Sequence, residues 1–569
     1  MLNKNIENSI SRILYIGAPF ITLLVSANTN MDPVNAPKAL ALGAFAFAAM
    51  GITVFSASKI IWNDAKLPVV VMILFVLSAL SCVIFSASPI EQLLYGVGGR
   101  NTGFITYLSL VFLSLSALTI RTSENFRKVV YGFLFAGLVN FFYNLVVLFG
   151  NDPIPWTNTY ATILGTFGNP NFVSSFMGIF VSVLTAFLFH KKASLPARSL
   201  VALLIVVSIY QIKQSNSLQG LLVSGLGIAI VLYFFLRSNI KKSFYSVAYL
   251  FSAIVIGLFT IAGMLQKGPL VEYVYKRTVS LRGEYWHAGL NMANANPFTG
   301  VGMDSYGLWF RRMRNPSALI SPGPEIITNS AHNVFIDIFS SGGAPLLLSY
   351  FGFVFLVALS ILKIIKRTKY YDPVFIAVLV GWIGYHAQAL ISINQIGLAI
   401  WGWLFGGLII AYEIASRNPN FYGTDLERNR SPKKNKRVNI STSETPAGVT
   451  LVAIMGFVVG IAVASPPAIA DAKWRNALTG STIEKIEVAL ESWPRDSSRL
   501  AQGTSTLSDN KLDDLAYKYA KMGVEFNPDY FDAWRLLTAM KLATEADKKL
   551  AAENLHRLDP INPAYKLVP

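Results

Sequence analysis

The sequence is poor in cysteine and in charge, and each shortage excludes a class of protein. Cys82 is the single cysteine among 569 residues, so the chain can form neither an intramolecular disulfide nor a cysteine-based metal cluster. Charged residues make up 14% of the chain, well below the share of about a quarter in soluble domains, and hydrophobic residues make up 53%. These proportions are typical of an integral membrane protein.

Motifs of metal- and nucleotide-dependent chemistry are also missing. The chain has no Asp-x-Asp pair for a divalent ion, no G-x-x-x-x-G-K-S/T phosphate loop and no His-Glu-x-x-His. An ATP-driven enzyme or a metallopeptidase is therefore not indicated, and we expect neither a metal site nor a cofactor.

Long apolar runs dominate what is there. Runs of roughly 17 to 25 residues have the length that crosses a bilayer core as a helix. They predict an all-α polytopic membrane protein, a bundle of about 12–13 transmembrane helices with a small soluble helical domain. The thirteen candidate spans are residues 12–28, 38–58, 68–87, 103–120, 129–149, 171–189, 198–212, 218–236, 245–265, 334–362, 373–391, 396–415 and 448–466. The first run has no small-residue cleavage site after it, so we expect it to be retained.

Lysine and arginine indicate the orientation, because positive connections stay in the cytoplasm. With thirteen spans, the basic segments fall on one side together with the N-terminus, and the C-terminus falls on the other. We therefore expect a multi-pass protein of the bacterial inner membrane with a cytoplasmic N-terminus. The net charge of +17 then reflects topology first and an anionic substrate second, and no nucleic acid partner is expected.

Composition divides the chain into four parts. Residues 1–416 form the main transmembrane domain, whose segment 266–333 is predicted to be a large extracytoplasmic loop. Residues 417–447 read as a disordered cytoplasmic linker and 448–466 as the last span. In the extracytoplasmic tail, 467–569, the dipeptides Trp493-Pro494, Asn527-Pro528 and Asp559-Pro560 recur at nearly the 34-residue period of tetratricopeptide hairpins. A non-repeating helical tail is the alternative.

The candidate site residues lie in connections predicted to share the extracytoplasmic side. His332 stands where the large loop enters an apolar run, and Arg282 precedes Trp286 by one helical turn. Imidazole can take a proton from a hydroxyl group, and guanidinium binds phosphate bidentately. His287 is a weaker candidate of the same segment. Helix-end anchoring of His332 and an interfacial Arg-Trp pair are the structural alternatives.

Two further connections carry polar residues on that side. Arg100 lies in the glycine-rich turn GVGGRNTGF, and Asn169 and Asn171 lie in GTFGNPNF. Carboxamides next to a glycine suit sugar hydroxyls, although Asn-Pro-Asn is equally typical of a plain helix N-cap.

Taken together, these motifs resemble the O-antigen ligase and O-antigen polymerase superfamily of bacterial polyprenol-dependent glycosyltransferases. The resemblance runs from about residue 90 to 415 and rests on GRNTGF, GTFGNPNF, the stretch from Arg282 to Gly302, and AHNVFIDIFSSGGAPLLL, which includes Asn333. It implies a GT-C-like membrane fold that transfers a glycan from undecaprenyl pyrophosphate to a hydroxyl acceptor, with inversion and without a metal.

The resemblance also implies roles for individual residues. His332 matches a histidine proposed to activate or orient the acceptor, and Arg282 matches an arginine proposed to bind the pyrophosphate. Where many ligases have a Ser-Arg-Gly type motif, this chain reads SNSLQG, with Gln219 in place of the arginine. Lys213 or Arg100 could substitute for that contact.

Several functions remain open at this point. A ligase would use a lipid-linked or protein acceptor, whereas a polymerase would add repeat units, and the C-terminal repeats could bind a protein or a glycan in either case. A transporter or flippase of lipid-linked glycan would instead place charges at the bilayer midplane in repeated halves. A repeat-bearing scaffold would leave the loop motifs without a role.

Overall fold

The computed structural model describes residues 3–160, 162–275, 280–418, 421, 447–480 and 482–566. Within these ranges every regular element is helical, so the all-α prediction is confirmed. The predicted linker at 417–447 lies outside the described residues except at 417, 418, 421 and 447, and it stays a prediction.

The described part of the chain contains twenty-one α-helices. They are α1 Lys4–Leu23, α2 Asn35–Phe85, α3 Ile90–Tyr95, α4 Phe104–Ala117, α5 Ser123–Leu148, α6 Pro170–Leu188, α7 Leu195–Gln214, α8 Gln219–Asn239, α9 Ser243–Met264, α10 Val271–Val274, α11 Arg282–Ala295, α12 Tyr306–Met313, α13 Val334–Arg367, α14 Pro373–Ala389, α15 Ile396–Ala415, α16 Ala447–Gly480, α17 Ile483–Glu491, α18 Ser497–Asp509, α19 Asp513–Phe526, α20 Phe531–Ala539 and α21 Glu545–Leu558.

The predicted spans all fall on helices, though not one to one. Nine of the described helices are long and apolar enough to cross a membrane, and α4 and α14 are apolar but shorter. The helix α1 is not among the nine, and α2 contains two predicted spans. The chain is therefore a multi-pass membrane protein.

The longest helix, α2, folds back on itself. It leaves helical geometry at Ala65 (φ −139°, ψ 36°) within a length of 51 residues. A straight helix of that length would separate its ends by about 75 Å. Instead, Asn35 at its start donates to the carbonyl oxygen of Gly99, a short way beyond its end, at 2.7 Å. Asp64, beside the bend, pairs with Arg121 at 3.1 Å at the opposite end of the bundle. The helix thus supplies two antiparallel spans, as predicted.

Charged side chains gather at the end of the bundle that holds this bend. The Glu7 carboxylate accepts hydrogen bonds from the backbone of Arg121 and from the side chain of Asn125. At the same end, Glu413 pairs with Arg367 at 2.7 Å and with Arg417 at 2.6 Å. The basic connections therefore lie away from Gly99 and the loops singled out as a site.

The tail is a stack of short helices, α17 to α21, around a core of its own. In it α18 packs on α19 and α20 packs on α21. The dipeptides Trp493-Pro494, Asn527-Pro528 and Asp559-Pro560 follow the ends of α17, α19 and α21, so the repeated signal marks helix ends. Their assignment to the tetratricopeptide class stays a prediction.

A buried ion cluster joins the tail to the large loop. The Asp559 carboxylate accepts hydrogen bonds from Arg314 at 2.7 and 2.9 Å and from Arg311 at 3.1 Å. The side chains of Arg314 and Asp559 are both fully buried. Removal of one partner from such a cluster would leave an uncompensated buried charge, which costs about 3–5 kcal/mol.

Small residues set the contact between α16 and the first half of α2. A Cβ atom on Gly460 would collide with the carbonyl oxygen of Gly43, and one on Gly456 would lie 2.5 Å from the carbonyl oxygen of Phe47. Close backbone approach at small residues is the usual way in which membrane helices associate.

We predict that Gly460→Leu destabilises the protein by about 1–3 kcal/mol, because the added side chain overpacks this contact. Thermal unfolding in detergent measures the effect. Gly225→Leu on α8 is the matched control, since a Cβ there meets nothing within 4 Å. Equal melting temperatures for the two variants would contradict the α2–α16 contact.

Candidate functional site

A polar cavity of about 580 Å³ opens at the end of the bundle that is opposite the bend in α2. Its walls come from connections far apart in the chain. They are residues 27 and 30–35, 99–100, 155–157, 164, 167–169 and 171–172, 282, 329, 332, 392–395 and 475. Of the predicted site residues, the structure brings together Arg100, Asn169, Asn171, Arg282 and His332.

Arg282, the first residue of α11, is one of three arginines on the cavity wall. The residue is 8% exposed, and its guanidinium donates to the carbonyl oxygen of Ile391. Burial lowers the pKa of Arg282 from its usual value, but a guanidinium still remains protonated in proteins. No carboxylate among the described residues pairs with it. A buried cation without a carboxylate partner favours an anion beside it.

Arg100 makes more contacts than Arg282, and an ion pair partly offsets its charge. Its Nε lies 3.3 Å from Asp304, and its Nη1 donates to the carbonyl oxygen of Asn329. The other oxygen of Asp304 accepts from the backbone of Val97 at 2.9 Å, which fixes the turn that carries Arg100.

His332 lies in a loop that is held in place by a residue of the following helix, α13. Its φ of 53° is in the left-handed region, which a residue with a side chain occupies only when its surroundings hold it there. Asp337, one turn into α13, accepts hydrogen bonds from the backbone of Ala331 and the hydroxyl of Ser330, both at 2.7 Å. The Ser330 hydroxyl in turn accepts from the backbone of His332 at 2.9 Å. Asp337 thereby sets the position of His332.

The environment of His332 keeps its ring neutral. Burial first, then the charges of Arg282 and Arg100, lowers the pKa of His332 to about 4. The ring lies beside that of Tyr285, with centroids 5.8 Å apart. At neutral pH the imidazole can therefore accept a hydrogen bond without first losing a proton.

The two asparagines of GTFGNPNF combine a capping role with a place on the cavity wall. The Asn169 side chain caps α6 by accepting from the backbone of Asn171 at 2.9 Å, and Pro170 begins the helix. Asn169 also donates to the hydroxyl of Tyr160 at 3.2 Å. The N-cap interpretation is thus correct for Asn169, and both residues still line the cavity.

The remaining predicted residues lie outside the cavity wall. Asn333 is the N-cap of α13, and its side-chain oxygen accepts from the backbone of Phe335 and Ile336.

His287 is exposed, and Trp286 packs on the small apolar cluster around Phe310. Lys213 is exposed in the last turn of α7. None of these four residues, Asn333 included, lines the cavity, and their contact with a substrate stays a prediction.

Gln219 lies behind the cavity wall and does not line the cavity. Its side chain accepts from Ser175 at 3.0 Å and approaches the carbonyl oxygen of Ile391 at 3.5 Å. The same carbonyl oxygen receives the guanidinium of Arg282. Gln219 therefore supports the connection that holds Arg282 and does not replace an arginine in the cavity.

Sequence reasoning missed the connection 392–395 and Arg475. Asn394 accepts from Tyr385 at 2.9 Å and donates to Tyr107 at 3.1 Å, and Gln395 donates to Asn35 at 3.3 Å. The signal was present, since SINQ is a polar stretch between two apolar runs on the predicted outer side. Arg475 lies past the last predicted span, where nothing in the local sequence sets it apart.

The described part of the chain is a multi-span helical membrane protein with a polar cavity whose wall includes the Arg282 guanidinium and the neutral ring of His332. A family model described as Wzy_C: O-Antigen ligase matches residues 214–351, a stretch that includes both Arg282 and His332. The match covers less than half of the chain, and it supports the O-antigen ligase superfamily and a glycosyltransferase-type enzyme. A comparison with curated proteins found no match.

We predict that Asp337→Ala loosens the loop that carries His332, because both hydrogen bonds from 330–331 are lost. Hydrogen exchange of the Ala331 amide should accelerate, and mass spectrometry of a peptide spanning residues 328–334 would detect it. Glu545→Ala, at an exposed carboxylate of the tail, serves as the control. Unchanged exchange in the Asp337 variant would show that another contact fixes the loop.

Proposed function

We propose that the protein is an O-antigen ligase-like glycosyltransferase. It moves a glycan from an undecaprenyl-pyrophosphate carrier to a hydroxyl group of a lipid-linked or protein acceptor. The observation that carries this proposal is the convergence of Arg282, Arg100 and His332 on one cavity at the end of a membrane bundle.

The cations give the cavity its preference for a diphosphate. Arg282 has no carboxylate partner in the described chain, so its charge is available to an anionic group. Guanidinium binds phosphate oxygens bidentately, and it stabilises the charge that develops on a leaving diphosphate. The side chains of Asn169 and Asn171 offer donors and acceptors to the sugar hydroxyls beside it.

The reaction is a displacement at the anomeric carbon. The acceptor oxygen forms a bond to that carbon from one side, and the bond to the phosphate oxygen breaks on the other, so configuration inverts. Undecaprenyl diphosphate leaves with the electron pair, and the acceptor proton moves toward the neutral imidazole of His332. The protein contributes positioning and charge stabilisation.

An apolar groove suits the carrier's isoprenoid tail. This groove of about 770 Å³ lies between α1 and α5 and is lined by side chains such as Ile16, Phe20 and Phe135. Val25 on its wall is two residues from Ala27 on the cavity wall, so a lipid in the groove would have its head group beside the cavity.

In this proposal the cavity faces the extracytoplasmic side of the bacterial inner membrane, and the positions of the positive connections support that orientation. Arg121, Arg237 and Arg367 lie at the opposite end of the bundle, where the positive-inside rule expects the cytoplasm. Lipid-linked glycan on the outer leaflet would then reach the cavity from within the membrane plane.

The direct test is transfer by the purified protein from a polyprenyl-pyrophosphate oligosaccharide, with and without an added lipid acceptor. We expect Arg282→Ala to lower the rate by about 10²–10³-fold and His332→Ala by about 10²–10⁴-fold. His287→Ala, at the exposed histidine of the same loop, should retain activity. Full transfer by both site variants would refute the proposed site.

Product size on a gel distinguishes the acceptors. A single shift that requires the added acceptor indicates a ligase, and a ladder of repeat units without it indicates a polymerase. EDTA should leave the rate unchanged, because guanidinium groups neutralise the diphosphate in this proposal.

The lowered pKa of His332 predicts an unusual pH profile. The ring is active when neutral, so activity is lost as pH falls through its pKa, and that pKa is about 4. The ratio kcat/KM, which reports the free enzyme, should therefore stay level from pH 7.5 down to about 5.5. His287→Ala should give the same curve. A half-maximal value near pH 6.5, the ordinary value for histidine, would contradict a buried neutral His332.

A further inference from the structure

The last long apolar helix, α16, continues past its apolar run and contributes a residue to the cavity wall. The apolar run of α16 was predicted to end at residue 466, yet the helix continues to Gly480. Along this extension, Ala468 accepts from Asn30 at 2.8 Å and Asp471 accepts from the backbone of Asp32 at 3.0 Å. The helix is thus fastened to the α1–α2 connection, which lines the cavity.

Arg475 is the residue that this helix contributes to the cavity. It is half-buried, and its Nη1 donates to the carbonyl oxygen of Asn30 at 3.4 Å, a long hydrogen bond. Within the described ranges no carboxylate forms an ion pair with it. The nearby Asp32 carboxylate is engaged by the backbone N–H groups of Val34, Asn35 and Ala36 at the start of α2. The guanidinium is therefore available to a ligand.

The other cations near the cavity are less suited to a second phosphate. Arg100 is offset by Asp304, Lys213 does not line the cavity, and position 219 is a glutamine behind the wall. A diphosphate diester carries two negative charges. Among the arginines of the cavity wall, Arg282 and Arg475 are the two that form no ion pair with a carboxylate of the described chain.

We propose that Arg475 is a second diphosphate-binding residue, supplied to the donor site by the C-terminal part of the chain. This inference rests on the proposed function, since it concerns the same donor. The tail that follows Arg475 is anchored to the large loop through Asp559 and the two arginines Arg311 and Arg314. The C-terminal domain thus completes the donor site as a structural element of the enzyme.

The test is binding of radiolabelled undecaprenyl diphosphate to the full-length protein in nanodiscs. We expect Arg475→Ala to weaken binding by about 10- to 100-fold, as loss of a charged hydrogen bond does, and the donor KM to rise with it. Lys473→Ala removes a positive charge from the exposed side of the same helix and should bind like wild type.

Two conservative variants separate phosphate binding from a structural role. Arg475→Lys keeps the charge, whereas Arg475→Gln keeps a donor for the Asn30 carbonyl oxygen without the charge. We expect the lysine variant to retain more affinity than the glutamine variant. Wild-type affinity in Arg475→Gln, or in Arg475→Ala, would overturn the inference.

Arg282→Ala serves as the reference that keeps the two proposals apart. If Arg282→Ala loses binding and Arg475→Ala does not, the proposed function is retained and the role of Arg475 in binding the diphosphate is refuted. If the wild-type protein does not bind undecaprenyl diphosphate, both are wrong. Thermal unfolding of each variant verifies that the fold is intact.

Discussion

The Arg282 guanidinium is buried without a carboxylate partner among the described residues, and the site depends on this constraint. Its hydrogen bond to the Ile391 carbonyl oxygen requires the α14–α15 connection to stay in place, and Gln219 and the Tyr385–Asn394–Tyr107 hydrogen bonds hold it there. A cation that has lost water without gaining a carboxylate creates a positive potential in the cavity. The same potential helps to keep His332 neutral. In the proposed reaction, the charge of Arg282 therefore serves both the contact with the donor and the contact with the acceptor.

Hydropathy and basic residues predicted most of the fold, because apolar length and positive charge are local properties of the chain. The two spans within α2 were found because the run of apolar residues is interrupted at Lys59 and Lys66, and the bend at Ala65 lies between these two lysines. The helical extension after residue 466 was missed. Its stability comes from contacts with Asn30 and Asp32, more than 400 positions away in the chain, which no local pattern encodes.

The sequence predicted the site residues that belong to a recognisable motif. It did not predict how tertiary contacts engage each of those side chains. Arg282, His332, Arg100, Asn169 and Asn171 were selected from their motifs, and all five line the cavity. Asn333 was selected from the same motif as His332, but its side-chain oxygen caps the N-terminus of α13. Asp337 was passed over because a carboxylate within an apolar run gives no sign of the two groups that it binds.

The most direct measurement is a cryo-electron microscopy map of the protein with undecaprenyl diphosphate in a nanodisc. We expect diphosphate density in the cavity within hydrogen-bond distance of Arg282, with the isoprenoid tail leaving toward α1 and α5. Density for the head group at another place, or an empty cavity in a particle with bound lipid elsewhere, would contradict this expectation.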